Sequence, residues 1–168
     1  MMNTKERIAH DYCQLVIQKK TTKITLKELS EKCNISRTTF YKYFKDTYEI
    51  IEYIFVNDCV EPQKNLVFSD LDPKVIVLEW YLSFYKHKDF YLVAIHDVGQ
   101  NSLFETIIEK LEEFNAILYS KKWAKTASNQ DITYISYKNA AMQAMLLKKW
   151  MKEGMKVSPE KMAEYFLL

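Results

Sequence analysis

The sequence predicts an all-α protein, and three observations support that class. The 168 residues include only two Gly and three Pro, fewer turn formers than a chain of many strands and tight turns requires. Apolar residues recur three and four positions apart along most of the chain, which is typical of amphipathic helices. Several of these segments begin with Ser, Thr or Asp, the residues that cap helix starts. We therefore expect a helical fold without a large sheet.

The first part of the chain is predicted to form a long helix followed by a short one. Apolar residues at helical spacing predict the long helix over 4–19. Thr25 and Glu28 have the spacing of a capping box, in which each side chain accepts a hydrogen bond from the other residue's backbone N–H. They predict a helix that runs to about Lys32.

A tight turn separates this helix from the next. Asn34 lies in the short link and tolerates the left-handed conformation that helix ends often require. Ser36 can cap a helix that ends near Phe44, and Asp46 with Glu49 can start a further helix. Two short helices joined by so short a turn must cross steeply, which is the helix-turn-helix arrangement.

The rest of the chain is predicted to form longer helices without repeats. The stretch AKTASNQ, residues 124–130, is the most loop-like part of the sequence. Capping residues, Pro and Gly set the predicted boundaries. Helices are expected over about 72–87, 89–99, 102–121 and 131–154, with a last short helix from 159.

The two ends of the chain differ in charge. Residues 1–48 hold ten Lys or Arg against five Asp or Glu, a net charge of +5, whereas residues 49–168 hold fourteen against seventeen, a net charge of −3. The basic end favours a polyanionic partner. We expect a helix-turn-helix domain over 1–46, for which DNA is the candidate partner, and a larger helical domain over 47–168 that begins with a helix over 47–60.

The stretch SRTTFYKYF, residues 36–44, mixes inward-facing and outward-facing chemistry. If Ser36 caps the helix, Phe40 and Phe44 lie four residues apart on one face and pack inward. The other face carries hydrogen-bond donors, cations and aromatic rings, which suit a groove lined with phosphates and base edges. The predicted outward side chains are Arg37, Thr38, Tyr41 and Lys42, with Thr39 and Tyr43 at the margins.

The segment ITLKELSEKCNISRTTFYKYFKDTYEII resembles the DNA-binding signature of the TetR family of bacterial transcription regulators. The resemblance implies a DNA-binding domain of three N-terminal helices over 1–46 and a linking helix over 47–60. It also implies that the all-helical domain over 47–168 dimerises and usually binds a small effector. The chain has Asn34 where the family commonly has Gly, and Thr47 where it commonly has a phosphate-contacting Lys. The DNA-contact candidates at matching positions are Lys27, Arg37, Thr38, Thr39, Tyr41, Lys42 and Tyr43.

The C-terminal part has a resemblance of its own and contains candidates for an effector pocket. Residues 75–168 resemble a subgroup of small regulators that includes proposed regulators of dihydroxyacetone kinase. Aromatic residues at helical spacing can line a pocket between helices, and the alternative is plain core packing. The pocket candidates are Trp80, Phe84, Tyr85, Tyr91, Tyr119 and Trp123.

The helix predicted over 131–154 is the candidate dimer interface. Small residues allow helices to approach closely, while Met fills irregular gaps. Together with the segment 159–168, this helix can form a four-helix interface across a two-fold axis, and the alternative is an interior helix of a monomer. The interface candidates are Ala141, Met142, Met145 and Leu146.

Several function classes lack support in the sequence. No nucleophile, P-loop or dinucleotide motif occurs, so we expect no enzyme and no cofactor. Cys13, Cys33 and Cys59 form no CxxC pair, and His87 and His96 have no helical partner ligand, so neither a disulfide framework nor a metal site is expected. No signal peptide or long apolar run is present, which predicts a cytoplasmic protein without a membrane partner.

The function predicted from the sequence is that of an effector-responsive repressor that binds a palindromic operator in double-stranded DNA as a homodimer. The effector would be a small molecule. One alternative is a co-activator or co-regulator of the same fold that acts through a protein partner. A pure interaction module and a small enzyme are the remaining classes.

Overall fold

The computed structural model describes residues 2–66, 71–98, 102–123 and 126–167. All regular structure in these ranges is helical, which confirms the predicted all-α fold. The helices are α1 (Thr4–Lys19), α2 (Leu26–Cys33), α3 (Arg37–Phe40), α4 (Thr47–Phe55), α5 (Glu61–Leu66), α6 (Pro73–Lys86), α7 (Lys88–Ala94), α8 (Leu103–Trp123), α9 (Asn129–Lys152) and α10 (Pro159–Leu167).

The predicted capping box at the start of α2 is present. Thr25 Oγ1 accepts a hydrogen bond from the Glu28 backbone N–H at 3.3 Å, and Glu28 Oε2 accepts one from the Thr25 N–H at 2.8 Å. A hydrogen bond from Lys19, supplemented by hydrogen bonds from the Thr25 N–H and hydroxyl, lowers the pKa of Glu28 to about 2. At the other end of α2, Asn34 is left-handed with φ 51°, as expected of a helix end.

The third helix is shorter than the sequence predicted. It was expected to end near Phe44, but α3 ends at Phe40 and a turn follows. The Tyr43 N–H donates to the Phe40 carbonyl at 2.9 Å, a bond across three residues that tightens the chain beyond an α-helical turn. Tyr41 to Tyr43 therefore lie on this turn and continue the course of α3.

Two other predicted boundaries were also wrong. Helix α9 begins at Asn129 instead of Asp131, because Ser128 is the cap and Asp131 belongs to the capping box in the first turn. Helix α7 ends at Ala94. Beyond it, backbone N–H groups donate to the carbonyl three residues earlier, as in the bonds from His96 to Val93 and from Asp97 to Ala94. The predicted end of that helix, Gly99, lies outside the described residues.

The linking helix continues beyond its predicted length with a change of winding. A π-helical turn, Val56–Val60, connects α4 to α5. Such turns are rare and are often found at functional sites. This turn, called the π turn below, places Cys59 in the core and leaves Asp58 half-buried.

A single hydrophobic core joins the N-terminal helices to the rest. Tyr12 of α1, Phe55 of α4, Phe84 of α6 and Trp150 of α9 belong to the same buried cluster. Helix α9 packs along α8, and α10 packs along α6. None of the described helices is both long and apolar enough to cross a membrane. We refer to residues 2–46 as the headpiece and to the described residues after 46 as the body.

Candidate nucleic-acid interface and ligand cavity

Two buried aromatic rings fasten α3 and its following turn to the headpiece. Phe40 and Phe44 are each 1% exposed, and their ring centroids lie 6.1 Å apart. Phe44 meets Tyr53 of α4 edge-on at 5.5 Å, and the Lys5 ammonium of α1 lies 4.9 Å from the Phe44 centroid. The inward half of SRTTFYKYF therefore contacts both α1 and α4.

Ser36 is the cap of α3. Its Oγ accepts a hydrogen bond from the Thr39 N–H at 3.0 Å and lies 2.9 Å from Thr39 Oγ1. The contact holds the Thr39 hydroxyl against the start of the helix. Thr39 is consequently half-buried, at the margin of the outward face.

The outward half of the segment is open to solvent. Arg37, Thr38 and Lys42 are exposed, Tyr41 is 60% exposed, and Tyr43 is half-buried. Neither Arg37 nor Lys42 forms an ion pair within the described part of the chain. Two cations, a hydroxyl and an aromatic ring thus share one free surface.

Helix α2 adds a further cation to this surface. A shallow groove between α2 and α3 is lined by Lys27 and Arg37. Lys27 Nζ lies 4.0 Å from Glu31 Oε1, and both side chains are strongly exposed, so solvent screens the pair. Thr47 is the first residue of α4 and lies directly after its cap, Asp46.

The body contains a cavity of about 460 Å³ between the π turn, α5, α6, α8, α9 and α10. Of the six predicted pocket residues, Trp80 and Tyr119 lie on its wall. Phe84 and Tyr91 instead lie in the core, where their rings are 5.0 Å apart. The cavity therefore coincides with only part of the predicted aromatic set.

The other two predicted pocket residues lie away from the cavity wall. Tyr85 is exposed and stacks on Trp150, with centroids 6.2 Å apart. Trp123 stacks on Tyr119 at 4.8 Å. Tyr119 also accepts a hydrogen bond of 2.6 Å from Asn139 Nδ2. Trp123 thus contacts a wall residue without lining the cavity itself.

Sequence reasoning missed the amide side chains of this cavity. Gln63 of α5, Asn115 of α8 and Gln143 of α9 line it, and Asn115 Nδ2 donates to Gln143 Oε1 at 3.1 Å. A signal was present for Asn115, because Leu111 and Leu118 lie four and three residues away on the same helix face. An amide within such an apolar stripe is buried and needs partners.

A second, more polar cleft of about 570 Å³ lies between α1 of the headpiece and α4, the π turn, α6 and α7 of the body. Cys13, Asp58 and His87 line it. Burial raises the pKa of Asp58, an effect opposed by the nearby charge of His87. Burial also raises the pKa of Cys13 to about 12, so this thiol stays protonated and is a poor nucleophile.

Tyr91 connects the two cavities. Its hydroxyl donates to Asp58 Oδ2 at 3.2 Å and lies 3.5 Å from Cys59 Sγ. Asp58 lines the polar cleft and Cys59 lines the apolar cavity. Tyr91 belongs to α7, so its hydroxyl joins that helix to the walls of both cavities.

The predicted interface residues lie on the solvent side of α9. Met142 and Met145 are exposed, at 60% and 58%, and Ala141 and Leu146 are half-buried. Ile117 of the neighbouring α8 is also exposed. Helix α10, which was expected to share the interface, packs on α6. Within the described residues, no group of three His, Cys, Asp or Glu side chains is arranged to hold a metal.

These features define a class: a helical regulator whose N-terminal helix-turn-helix is packed on a larger helical body. Residues 72–167 match the TetR C-terminal family model described as a transcriptional regulator C-terminal region. The match covers more than half of the chain. The chain therefore belongs to the TetR family of transcriptional regulators.

Solved structures show the same fold. A protein assigned to the TetR family from Syntrophomonas wolfei is similar with a TM-score of 0.69 and 17% identity, over 98% of this chain and 91% of that one. DhaS, a dihydroxyacetone kinase operon activator, is similar with a TM-score of 0.64 and 20% identity, over 99% and 93%. NalD, the secondary repressor of the MexAB-OprM multidrug efflux pump in Pseudomonas aeruginosa, has a TM-score of 0.64 and 15% identity, over 98% and 92%. A comparison with curated protein sequences gives no significant match.

Proposed function

We propose that this regulator is a cytoplasmic, effector-responsive repressor that binds a palindromic DNA operator as a homodimer. One observation carries the proposal: an exposed surface of cations and hydrogen-bond donors lies on a short helix that Phe40 and Phe44 fix to the headpiece. A rigidly held helix with this chemistry can enter the major groove and read base edges there.

Each outward side chain has a role that follows from its chemistry. Arg37 can donate two hydrogen bonds to a guanine edge, and Thr38 and Thr39 can contact base edges or a thymine methyl group. Phosphate contacts set the position of the protein on the duplex but carry no sequence information directly. The proposed phosphate contacts are Lys27, Tyr41, Lys42 and Tyr43.

A homodimer is proposed because one short helix reads only a half-site. Two-fold pairing doubles the contacts and requires recognition helices about one DNA turn, ~34 Å, or somewhat more apart. The exposed Met142 and Met145, with Ile117 of α8 beside α9, supply an apolar face for self-association. The proposed interface therefore involves α8 and α9, with Ala141 and Leu146 at its edge.

The connection between cavity and headpiece supports effector control. Cys59 on the cavity wall contacts Tyr91, and the helix that carries Tyr91 packs against α1. Just beyond that helix, Asp97 accepts a hydrogen bond from Thr22 of the headpiece. A ligand that favours one packing of these elements would change headpiece spacing and operator affinity. The open cavity favours this mechanism over a co-regulator that needs only a protein partner.

Two single substitutions test the proposed DNA contacts, with duplexes from the region upstream of its own gene. Arg37→Ala should cost about 1–3 kcal/mol at the preferred site and relax base preference. Lys42→Ala should weaken binding to all DNA sequences alike. It should also reduce the slope of the logarithm of the binding constant against the logarithm of salt concentration by about 1. Lys152→Ala, at an exposed lysine at the end of α9, is the matched control. Unchanged binding by both headpiece variants would show that another surface meets DNA.

A further inference from the structure

The apolar cavity of the body has a chemistry that restricts its ligand. Most of its wall is hydrocarbon and aromatic, including Val77 and Trp80 of α6 and Leu111 and Phe114 of α8. Its volume of about 460 Å³ lies within the range of small-molecule sites, about 300–1,000 Å³. Such a wall favours a ligand that buries a large apolar surface.

The only charged side chain among the described lining residues is Lys110, and it is already paired. Its ammonium lies 3.1 Å from Glu52 Oε1 and 3.3 Å from Glu113 Oε1. These carboxylates raise the pKa of Lys110 against the opposing effect of burial. An anionic ligand would have to compete with two carboxylates, and a cationic ligand would meet the ammonium. The cavity therefore selects against charge.

Among the described residues of the wall, Gln63 carries the only buried side-chain oxygen or nitrogen atom without a hydrogen-bond partner. The residue is 5% exposed, and its Oε1 has no hydrogen-bond partner among the described residues. A buried carbonyl oxygen without a donor is costly, and such atoms in folded proteins normally have a partner. A ligand with an O–H or N–H group at this point would satisfy the oxygen.

We propose that the cavity binds an uncharged, largely apolar molecule whose hydrogen-bond donor is received by Gln63 Oε1. This inference rests on the proposed effector control and adds the chemical class of the effector. Gln63 is the residue that distinguishes a ligand carrying a hydrogen-bond donor from a ligand with the same carbon skeleton and no donor. A site whose buried polar group is left unpaired discriminates effectively against a ligand that lacks the matching group.

Two pairs of probes test this class without requiring the natural ligand. 4-Phenylphenol and 1-naphthol each carry one O–H donor, whereas 4-methoxybiphenyl and 1-methoxynaphthalene have similar skeletons and no donor. Biphenyl-4-carboxylate adds a charge. Titration calorimetry on the full chain without DNA should show at least one phenol binding about tenfold more tightly than its ether, and the carboxylate binding more weakly than either.

Variants locate the effect at Gln63. Gln63→Leu removes the acceptor and should bring the phenol and its ether to equal affinity, while Val77→Trp should weaken both by filling the cavity. Gln18→Leu, at an exposed glutamine of α1, should leave both affinities unchanged. Circular dichroism and unfolding curves establish that each variant is folded.

Four results would overturn the proposal: no phenol binds, neither phenol binds more tightly than its ether, the carboxylate binds as tightly as 4-phenylphenol, or the preference survives in Gln63→Leu. The measurement contains no DNA, and the operator titrations contain no ligand. Failure of this inference and failure of the proposed DNA-binding function are therefore separate outcomes.

Discussion

Thr22 Oγ1 donates a hydrogen bond of 2.7 Å to Asp97 Oδ2, although the two residues lie 75 positions apart in the chain. Thr22 is buried in the link between α1 and α2, and its carbonyl accepts a hydrogen bond from the Tyr12 hydroxyl at 3.0 Å. Asp97 follows α7 in the body. The bond therefore ties the headpiece to the helix that contacts both cavities through Tyr91.

Replacing Thr22 by Val should lower the free energy of unfolding by about 1–3 kcal/mol, because the shape is kept while a bond to a charged acceptor is lost. Urea unfolding followed by circular dichroism measures the change. Thr133→Val, at an exposed threonine of α9, is the control and should stay within about 0.5 kcal/mol of the parent. Equal effects of the two substitutions would show that the bond contributes nothing.

Phe40→Ala should be among the most damaging substitutions in the headpiece. Loss of a fully buried phenylalanine costs about 3–5 kcal/mol, since contacts disappear and a void remains. The neighbouring Tyr41 is 60% exposed, so Tyr41→Ala should change stability by about 0.5 kcal/mol or less while weakening DNA binding. Chemical unfolding gives the free energy of unfolding of the two variants for comparison. The inward and outward assignment of the segment is wrong if Tyr41→Ala proves the more destabilising change.

Asp58→Asn should stabilise the protein at neutral pH. Burial raises the pKa of Asp58, so folding favours its neutral form, and ionisation costs stability as pH rises through the raised pKa. The amide can still accept the Tyr91 hydrogen bond. The free energy of unfolding should be measured for the variant and the parent at about pH 7 and about pH 4. The variant should be more stable than the parent at the higher pH, and this difference should shrink at the lower pH, where the carboxyl is protonated.

Asp131→Asn provides a control of opposite sign. Hydrogen bonds from Ser128 lower the pKa of Asp131, so its contribution is present above the unfolded pKa and is lost as pH falls. This variant should therefore be less stable than the parent at about pH 7, with the difference shrinking at low pH. If both substitutions change stability in the same direction at neutral pH, burial is not what raises the pKa of Asp58.

Met145→Glu should disrupt the proposed homodimer. Pairing across a two-fold axis would bring two carboxylates into an apolar contact, which should raise the dimer dissociation constant by at least about tenfold. Sedimentation velocity over a range of protein concentrations measures it. Met2→Glu alters a similarly exposed methionine near the N-terminus and should leave association unchanged. A monomeric parent protein would contradict the interface itself.

The sequence predicts most helix starts but not every end, and the difference has a physical cause. Thr25 with Glu28, and Ser36 alone, start helices through bonds to residues three positions away, so the signal is local. The turn that ends α3 lies between the buried Phe40 and Phe44, and Phe44 packs against side chains of α1 and α4. That packing is tertiary and cannot be read from spacing.

The cavity was only partly predictable for the same reason. Aromatic residues at helical spacing include core residues and wall residues alike, so Phe84 and Trp80 could not be separated before the helices were placed. Gln63 gives no local signal, because its importance lies in the absence of a hydrogen-bond partner for Oε1 among the residues that the structure describes. The outward residues of 36–44 followed from helical spacing, since only one face can pack inward.

The most direct test of the central claim is the binding of DNA from the region upstream of its own gene, measured by fluorescence anisotropy at several salt concentrations beside a random duplex of equal length. We predict at least about 10³-fold tighter binding to one upstream site than to the random duplex, and a logarithm of the binding constant that falls linearly with the logarithm of salt concentration. Equal affinity for the two duplexes, or an affinity that does not depend on salt, would contradict the claim that this protein reads an operator through its helix-turn-helix.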